Sequence, residues 1–166
     1  MHLGNNPSSS PLHSNFTIPS LFLRLAISVP YLWFVSDRLG LLGANGHPHV
    51  GWGDWGHFMI YARQTMSFLP PVIVPVLAVL ATVGEGLFGL LLLIGYRTRL
   101  AAVGSGILSL LFAISMAISF GIESPLGYSV FTVSAVSFLL ATIPEYQYSL
   151  DHYLHKNKNN ESKDQF

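Results

Sequence analysis

Glu85 is the one charged side chain in residues 72–94, an otherwise apolar stretch long enough to cross a bilayer. Three glycines lie close to it along the chain: Gly84, Gly86 and Gly89. A charge near the centre of a bilayer costs about 2.5–3.5 kcal/mol on insertion scales, so it is retained where it faces protein or water and has a partner. The carboxylate of Glu85 therefore predicts either a functional site within the membrane or a buried ion pair that holds helices together.

Residues of the first apolar stretch at steps of three and four lie on one helical face: Arg24, Ser28, Tyr31, Val35 and Arg38. With a rise of about 1.5 Å per residue, Arg24 lies roughly 6–9 Å and Glu85 roughly 15 Å from the same membrane surface. An extended arginine is long enough to span that difference. We therefore predict an ion pair between Arg24 and Glu85, with Tyr31 and serines of the third or fourth helix completing its hydrogen bonds. The predicted intramembrane polar pocket consists of Glu85, Arg24, Tyr31 and Ser28.

Two other interpretations of these residues stay open. The pair could be purely structural, because removing one partner of a buried pair costs about 3–5 kcal/mol whether or not chemistry occurs there. Arg24 could instead extend its guanidinium to the lipid head groups, since its depth is within reach of a long side chain. The pattern assigns no catalytic residue.

The composition is that of an integral membrane protein. Hydrophobic residues make up 51% of the chain and charged residues 10%, and the mean hydropathy is +0.48. A membrane helix needs roughly 20 mostly apolar residues, and four stretches qualify, at about 18–38, 72–95, 99–120 and 125–143. Runs of this kind exclude barrel strands, which alternate at every second residue. The predicted fold class is all-α, a four-helix transmembrane bundle.

The charged residues predict how this bundle is oriented. Four crossings place both termini on one side, and the positive-inside rule makes that side cytoplasmic because it carries Arg97 and Arg99, followed by lysines of the carboxyl tail. The predicted domains are a polar tail at 1–17, a membrane domain at 18–150 and a disordered polar tail at 151–166. We predict a bacterial inner (plasma) membrane location. A net charge of zero without a basic stripe argues against nucleic-acid binding.

Small residues recur every four positions in the third apolar stretch: Ala101, Ser105, Ser109, Ala113, Ala117 and Gly121. The second stretch has the same spacing at Ala78, Thr82 and Gly86. Small side chains let membrane helices approach closely. This pattern predicts that the second and third helices pack against each other.

The connection at residues 40–71 is long for a helix-to-helix turn and is rich in aromatic residues that favour the membrane interface: Trp52, Trp55, Phe58, Tyr61 and Phe68. It predicts a short helix at 55–68 that lies on the outer leaflet. Further candidate site residues in and next to this loop are Asp37, Arg38, Asp54, Trp55 and His57. Three histidines of the loop and Asp54 are of metal-ligand type, but they follow no recognised ligand spacing, and no metal site is predicted.

The chain contains no cysteine. A dithiol relay, a cysteine-ligated iron–sulfur cluster and a thiolate nucleophile are therefore excluded. The sequence also shows no dinucleotide fingerprint and no phosphate-cradling glycine loop. Electrons for a redox reaction would have to come from a partner protein or a bound cofactor.

Residues 84–102, GEGLFGLLLLIGYRTRLAA, resemble the central signature of the DoxX family. That signature is a glutamate in the second helix, a glycine one turn later, a leucine-rich run, a glycine, a basic turn and alanines that open the third helix. The first helix is similar as well, and the resemblance covers about residues 21–141. It implies a small four-helix inner-membrane protein and carries the family's glutamate to Glu85 and its first-helix arginine to Arg24. Family members have been linked to membrane oxidoreductase complexes, including thiosulfate:quinone oxidoreductase.

These observations predict a subunit or accessory of a quinone-linked membrane redox system, with the polar pocket around Glu85 holding a hydrophobic head group. Quinone is the candidate cofactor, and the predicted partners are the lipid bilayer, a redox partner protein and further copies of the chain. We expect an accessory subunit rather than a self-sufficient oxidoreductase. Two alternatives stay open: a small-molecule or proton-coupled carrier in which Glu85 titrates, and a non-catalytic assembly or scaffold protein.

Overall fold

A computed structural model describes residues 16–154, and all regular secondary structure in that range is helical. The helices include α1 (Thr17–Arg38), α2 (Trp55–Thr65), α3 (Val74–Ile94), α4 (Thr98–Phe120), α5 (Glu123–Gly127) and α6 (Val130–Thr142), and residues 150–154 are helical as well. The predicted polar tail at 1–17 and the predicted disordered tail at 151–166 fall for the most part outside the described residues.

Within residues 16–154, three helices are long and apolar enough to cross a membrane. These helices, α1, α3 and α4, contain 22, 21 and 23 residues, and at 1.5 Å per residue they are about 31–35 Å long. The hydrocarbon core of a bilayer is about 30 Å thick. The chain is therefore an integral membrane protein, and its exposed helical faces contact lipid.

The predicted fourth helix at 125–143 is not continuous. Ser129 adopts a left-handed backbone with φ 56°, which separates the short α5 from the 13-residue α6. An α-helix cannot continue through a residue of this conformation, so the chain changes direction there. The bundle of four full crossings remains a prediction.

Helices α1 and α3 run antiparallel and are brought close together at Gly89 of α3. A Cβ atom added at Gly89 would lie 3.1 Å from the side chain of Leu32 and 3.3 Å from the Cβ of Tyr31. The absence of a side chain at this position lets the two backbones approach. This contact sets which residues of α1 face the carboxylate of Glu85.

Helices α3 and α4 pack against each other as predicted, but the small-residue face of α4 packs mainly against α6. Helix α4 also touches α3, but its contact with α6 is more extensive. The Oγ atoms of Ser105 and Ser137 are 3.4 Å apart, and the Ser134 hydroxyl donates to the carbonyl of Gly106 at 2.8 Å. Small residues predict close approach but do not identify the neighbour.

Helix α2 forms within the predicted segment of the long loop and ends at Thr65, three residues earlier than predicted. Its buried side chains Phe58 and Ala62 pack against Val74 and Ala78 of α3. The Ser119 hydroxyl of α4 donates to the carbonyl of Thr65 at 2.7 Å. Helix α2 therefore lies against α3 and α4, and its location at the membrane surface remains a prediction.

The turn between α3 and α4 is fixed by the segment that follows α6. The two carboxylate oxygens of Asp151 accept the backbone N–H groups of Arg97 and Thr98, each at 2.8 Å. The backbone N–H of Asp151 in turn donates to the carbonyl of Gly95 at 3.0 Å. Asp151, the first residue of the predicted tail, is thus part of the folded domain. The side chains of Arg97 and Arg99 are exposed at this turn.

Candidate functional site

Glu85 is buried and pairs with Arg38, so the predicted pairing with Arg24 is wrong. Arg38 donates from Nη1 to Oε2 at 2.5 Å and from Nη2 to Oε1 at 3.3 Å, which makes the pair bidentate. Nη1 also donates to the hydroxyl of Thr82 at 3.0 Å. Each partner is 4% exposed. The charge within the α3 span is therefore neutralised inside the protein.

The direction of helical side chains explains why Arg38 is the partner. Side chains of an α-helix lean toward its N-terminus. Arg38 is the last residue of α1, so its side chain leans back along α1 toward the middle of the bundle. Glu85 leans toward the start of the antiparallel α3, and the two side chains converge. Arg24 leans toward the start of α1 and away from Glu85.

Arg24 instead binds the last turn of α3. Its guanidinium donates to the carbonyls of Leu92 at 2.9 Å, Leu93 at 3.1 Å and Tyr148 at 3.1 Å. The final carbonyls of a helix have no partner within the helix and carry partial negative charge, which a cation stabilises. Arg24 is 1% exposed, so it does not extend to the head groups. It joins α1, α3 and the segment after α6.

Gly95 makes room for this guanidinium. It has φ +70°, and an added Cβ atom would lie 2.4 Å from Nη2 of Arg24. A glycine at this position therefore meets two requirements, a left-handed helix cap and close passage of the arginine.

The other two residues of the predicted pocket lie apart from the pair. The hydroxyl of Tyr31 is 2.7 Å from the Oγ of Ser109 and donates to the carbonyl of Ser105 at 3.1 Å. Tyr31 thus meets serines of the third predicted helix, but these groups bond to one another rather than to Glu85. The Ser28 hydroxyl donates within α1, to the carbonyl of Leu25 at 3.4 Å.

Two aromatic rings enclose the guanidinium of Arg38. Its Cζ atom lies 4.1 Å from the ring centroid of Phe58 and 5.1 Å from that of Trp52. These two rings are themselves in edge contact, with centroids 5.3 Å apart. Rings at these distances attract a cation through their negative faces. We call Trp52 and Phe58 the aromatic cage.

One N–H group of Arg38 has no acceptor. Nε is buried and lacks a hydrogen-bond partner among residues 16–154. Buried polar groups are satisfied in the large majority of cases, and an exception calls for an explanation. An oxygen acceptor of a ligand would satisfy this group.

Asp37 holds the loop that carries Trp52. Its buried carboxylate accepts the backbone N–H groups of Gly51 at 3.1 Å, Trp52 at 2.8 Å and Gly53 at 3.1 Å. An added Cβ at Gly51 would lie 2.9 Å from this carboxylate, and one at Gly53 would lie 2.3 Å from the backbone nitrogen of Asn45. Asp37 and the two glycines therefore fix Trp52 against Arg38.

An apolar cavity of about 530 Å³ lies between α2, α3 and α4. Phe58 lines this cavity and also contacts the guanidinium of Arg38. The sequence did not reveal it, because it is formed by the placement of α2 against two spanning helices. Glu85 thus pairs with Arg38, which contacts Phe58, and makes no hydrogen bond to Arg24, Tyr31 or Ser28 among residues 16–154.

The remaining loop candidates lie at the start of α2. Asp54 caps the helix by accepting the backbone N–H of His57 at 2.9 Å, and its second oxygen is 2.7 Å from Nδ1 of the same histidine. The ring of Trp55 packs against that of Phe58, with centroids 5.2 Å apart. Among residues 16–154, no group of three or more histidine or acidic side chains is placed to hold a metal ion.

The cap at Asp54 predicts a pH dependence of the first turn of α2. The hydrogen bond from the His57 backbone, followed by that from its imidazole, lowers the pKa of Asp54. A carboxyl whose pKa is lower in the folded state stabilises the fold above its unfolded pKa of about 3.9, and this contribution is lost as the pH falls through the folded value. We expect the hydrogen-exchange protection factor of the His57 amide to decrease when the pH is lowered below about 4. Asp54→Asn keeps a capping side chain and should remove this dependence, and a persistent dependence in that variant would assign it to another group.

A comparison with family models places the chain among known membrane proteins. The model described as TQO small subunit DoxD matches residues 21–166. No curated protein and no solved structure matches the chain. DoxD is a DoxX-like membrane family, so the match supports the predicted resemblance in general but does not confirm the DoxX family itself. Because the match extends over most of the sequence, the chain belongs to the family of TQO small subunit DoxD.

Proposed function

We propose that this protein is a membrane-embedded subunit of a quinone-linked redox complex and that Arg38 binds the quinone head group. The observation that carries the proposal is the buried, unsatisfied Nε group of Arg38, whose guanidinium packs against Phe58, a residue that also lines the apolar cavity. The family description, a small subunit, supports a role as a subunit in a membrane redox complex.

The residues present fit a quinone. A quinone is a planar apolar ring with carbonyl oxygens, and it supplies the transfer of electrons and protons. Arg38 offers an N–H donor to such an oxygen, and Trp52 and Phe58 offer aromatic faces next to that donor. Ligand sites of this kind are mostly apolar with a few placed polar groups.

Glu85 and Thr82 hold the donor in place. Their oxygens accept from the two terminal nitrogens of Arg38, which fixes the plane of the guanidinium and leaves Nε free. The bidentate pairing places the carboxyl group of Glu85 next to a positive charge. This arrangement gives less support to a carrier in which Glu85 titrates, since a proton would have to displace Arg38. Electrons would come from a partner protein.

We also propose four crossings, with α5 and α6 together forming the last, and cytoplasmic termini in a bacterial inner membrane. Support comes from the exposed Arg97 and Arg99 at the turn between α3 and α4, since arginines flanking spans favour the cytoplasmic side. The α6 helix is apolar, and at about 20 Å it needs the flanking residues to complete a crossing.

Binding of a short-chain benzoquinone to the protein in lipid nanodiscs tests the proposed function. We expect saturable binding above that of empty nanodiscs. Arg38→Lys keeps the charge but loses the planar donor, and it should weaken binding by about tenfold or more, which corresponds to ~1.4 kcal/mol. Arg63→Lys, at an exposed position of α2, is the matched control and should bind as the wild type does. Absence of binding to the wild type, or full binding by folded Arg38→Lys, would overturn the proposal.

A further inference from the structure

The cavity beneath α2 is suited to an apolar chain rather than to a head group. Its walls are almost entirely apolar, with Leu77 and Ala81 from α3 and Leu108 and Phe112 from α4. The hydroxyl of Thr65, one of its few polar side chains, already donates to the carbonyl of Tyr61 at 3.0 Å. A head group with carbonyl oxygens would find its donor at Arg38 instead.

The cavity opens on the side of the bundle that faces lipid. Leu80, Leu111 and Ile118 line it and are at the same time 57–60% exposed on the spanning helices. These side chains form a rim between α3 and α4 at the level of α2. A molecule dissolved in the bilayer can therefore reach the cavity laterally, without passing through water.

Phe58 connects this cavity with the polar pair. One ring lines the cavity and contacts the guanidinium of Arg38 at 4.1 Å. A ligand with its polar end at Arg38 and its apolar chain in the cavity would extend past this ring. The cavity volume of about 530 Å³ is in the usual range of ligand sites, about 300–1,000 Å³.

We propose that this cavity binds the long apolar chain of a membrane quinone, which enters laterally from the bilayer between α3 and α4 beneath α2. This inference rests on the proposed function, because it assigns the chain of the same ligand whose head group lies at Arg38. It adds a selectivity for quinones that carry a long chain.

Filling the cavity tests the binding of the ligand's apolar chain separately from the binding of its head group. Ala81→Phe and Ser115→Phe introduce bulk from opposite walls, and Ala135→Phe is the control at an exposed position of α6 outside the cavity. We expect both cavity variants to weaken binding of a long-chain benzoquinone by about tenfold or more and to leave binding of a methyl-substituted benzoquinone within twofold. Ala135→Phe should change neither affinity.

Each other outcome bears on a different claim. Unchanged long-chain affinity in both cavity variants overturns the inference and leaves the proposed function standing. Equal loss of both quinones in folded variants also overturns it, because the cavity would then hold the ring. Failure of the wild type to bind either quinone overturns the proposed function itself.

A second measurement does not depend on tolerance of a large side chain. A long-chain benzoquinone with a photoreactive diazirine at the end of its chain should crosslink to residues of the cavity wall such as Leu77 and Phe112. Excess unlabelled long-chain quinone should suppress these crosslinks. Crosslinks confined to residues outside the cavity would overturn the inference.

Discussion

Replacing Arg38 with methionine is expected to lower the free energy of unfolding by about 3–5 kcal/mol, because the carboxyl group of Glu85 would remain buried without its partner. The second replacement, Glu85→Leu, should recover most of this loss, since an apolar pair of similar volume is often neutral or stabilising. Unfolding in mixed micelles of mild detergent and SDS measures both quantities.

Arg63→Met is the control for the loss of an arginine at an exposed position. It should change the free energy of unfolding by no more than about 0.5 kcal/mol. A similar small effect of Arg38→Met would show that the carboxylate of Glu85 is satisfied by other groups.

Replacing Arg24 with methionine is the second large effect that we expect. The change leaves the buried carbonyl of Leu92 and the partly buried carbonyls of Leu93 and Tyr148 without their donor, and an unsatisfied buried group costs about 1–3 kcal/mol. A loss of about 3 kcal/mol or more is therefore expected in the same unfolding measurement.

The region that Arg24→Met destabilises differs from the region that Arg38→Met destabilises. Release of Tyr148 should raise hydrogen exchange after α6 and in the turn between α3 and α4, which Asp151 holds. Folded Arg24→Met should keep its affinity for a short-chain quinone, because Leu92 lies about 10 Å along α3 from Glu85. Loss of that affinity without loss of stability would show that Arg24 belongs to the ligand-binding site.

The membrane-spanning helices and α2 could be predicted from the sequence because each depends on a local pattern. Long, mostly apolar runs determine α1, α3 and α4, and the aromatic residues between α1 and α3 indicate an amphipathic helix. The division of the last apolar stretch could not be read in this way, since it depends on the left-handed backbone of a single residue, Ser129. Hydropathy does not report backbone conformation.

The need of Glu85 for a partner was also predictable, but the partner was not identified correctly. Depth along the helix axis favoured Arg24, whereas the lean of side chains toward each helix N-terminus favours Arg38. That rule can be applied to a sequence once two helices are taken as antiparallel, so the signal was present. The order Gly51, Trp52, Gly53 was a weaker signal of a loop that wraps around a side chain.

The cavity and the aromatic cage lay beyond sequence reasoning. Both depend on where α2 rests on α3 and α4, and no local pattern specifies that position. Phe58 was assigned to the membrane interface for its aromatic character, yet it is buried between Arg38 and the cavity. Amphipathic aromatic residues occur both at the membrane interface and in buried contacts, and the tertiary structure determines which of the two applies.

Two double-mutant cycles test the central claim, that Glu85 is paired with Arg38 within the bundle. The cycle of Arg38→Met with Glu85→Gln should give a coupling energy of about 1–3 kcal/mol, as expected for residues in contact. The cycle of Arg24→Met with the same glutamine should be additive within about 0.5 kcal/mol. Strong coupling of Glu85 to Arg24 together with additivity for Arg38 would contradict the account.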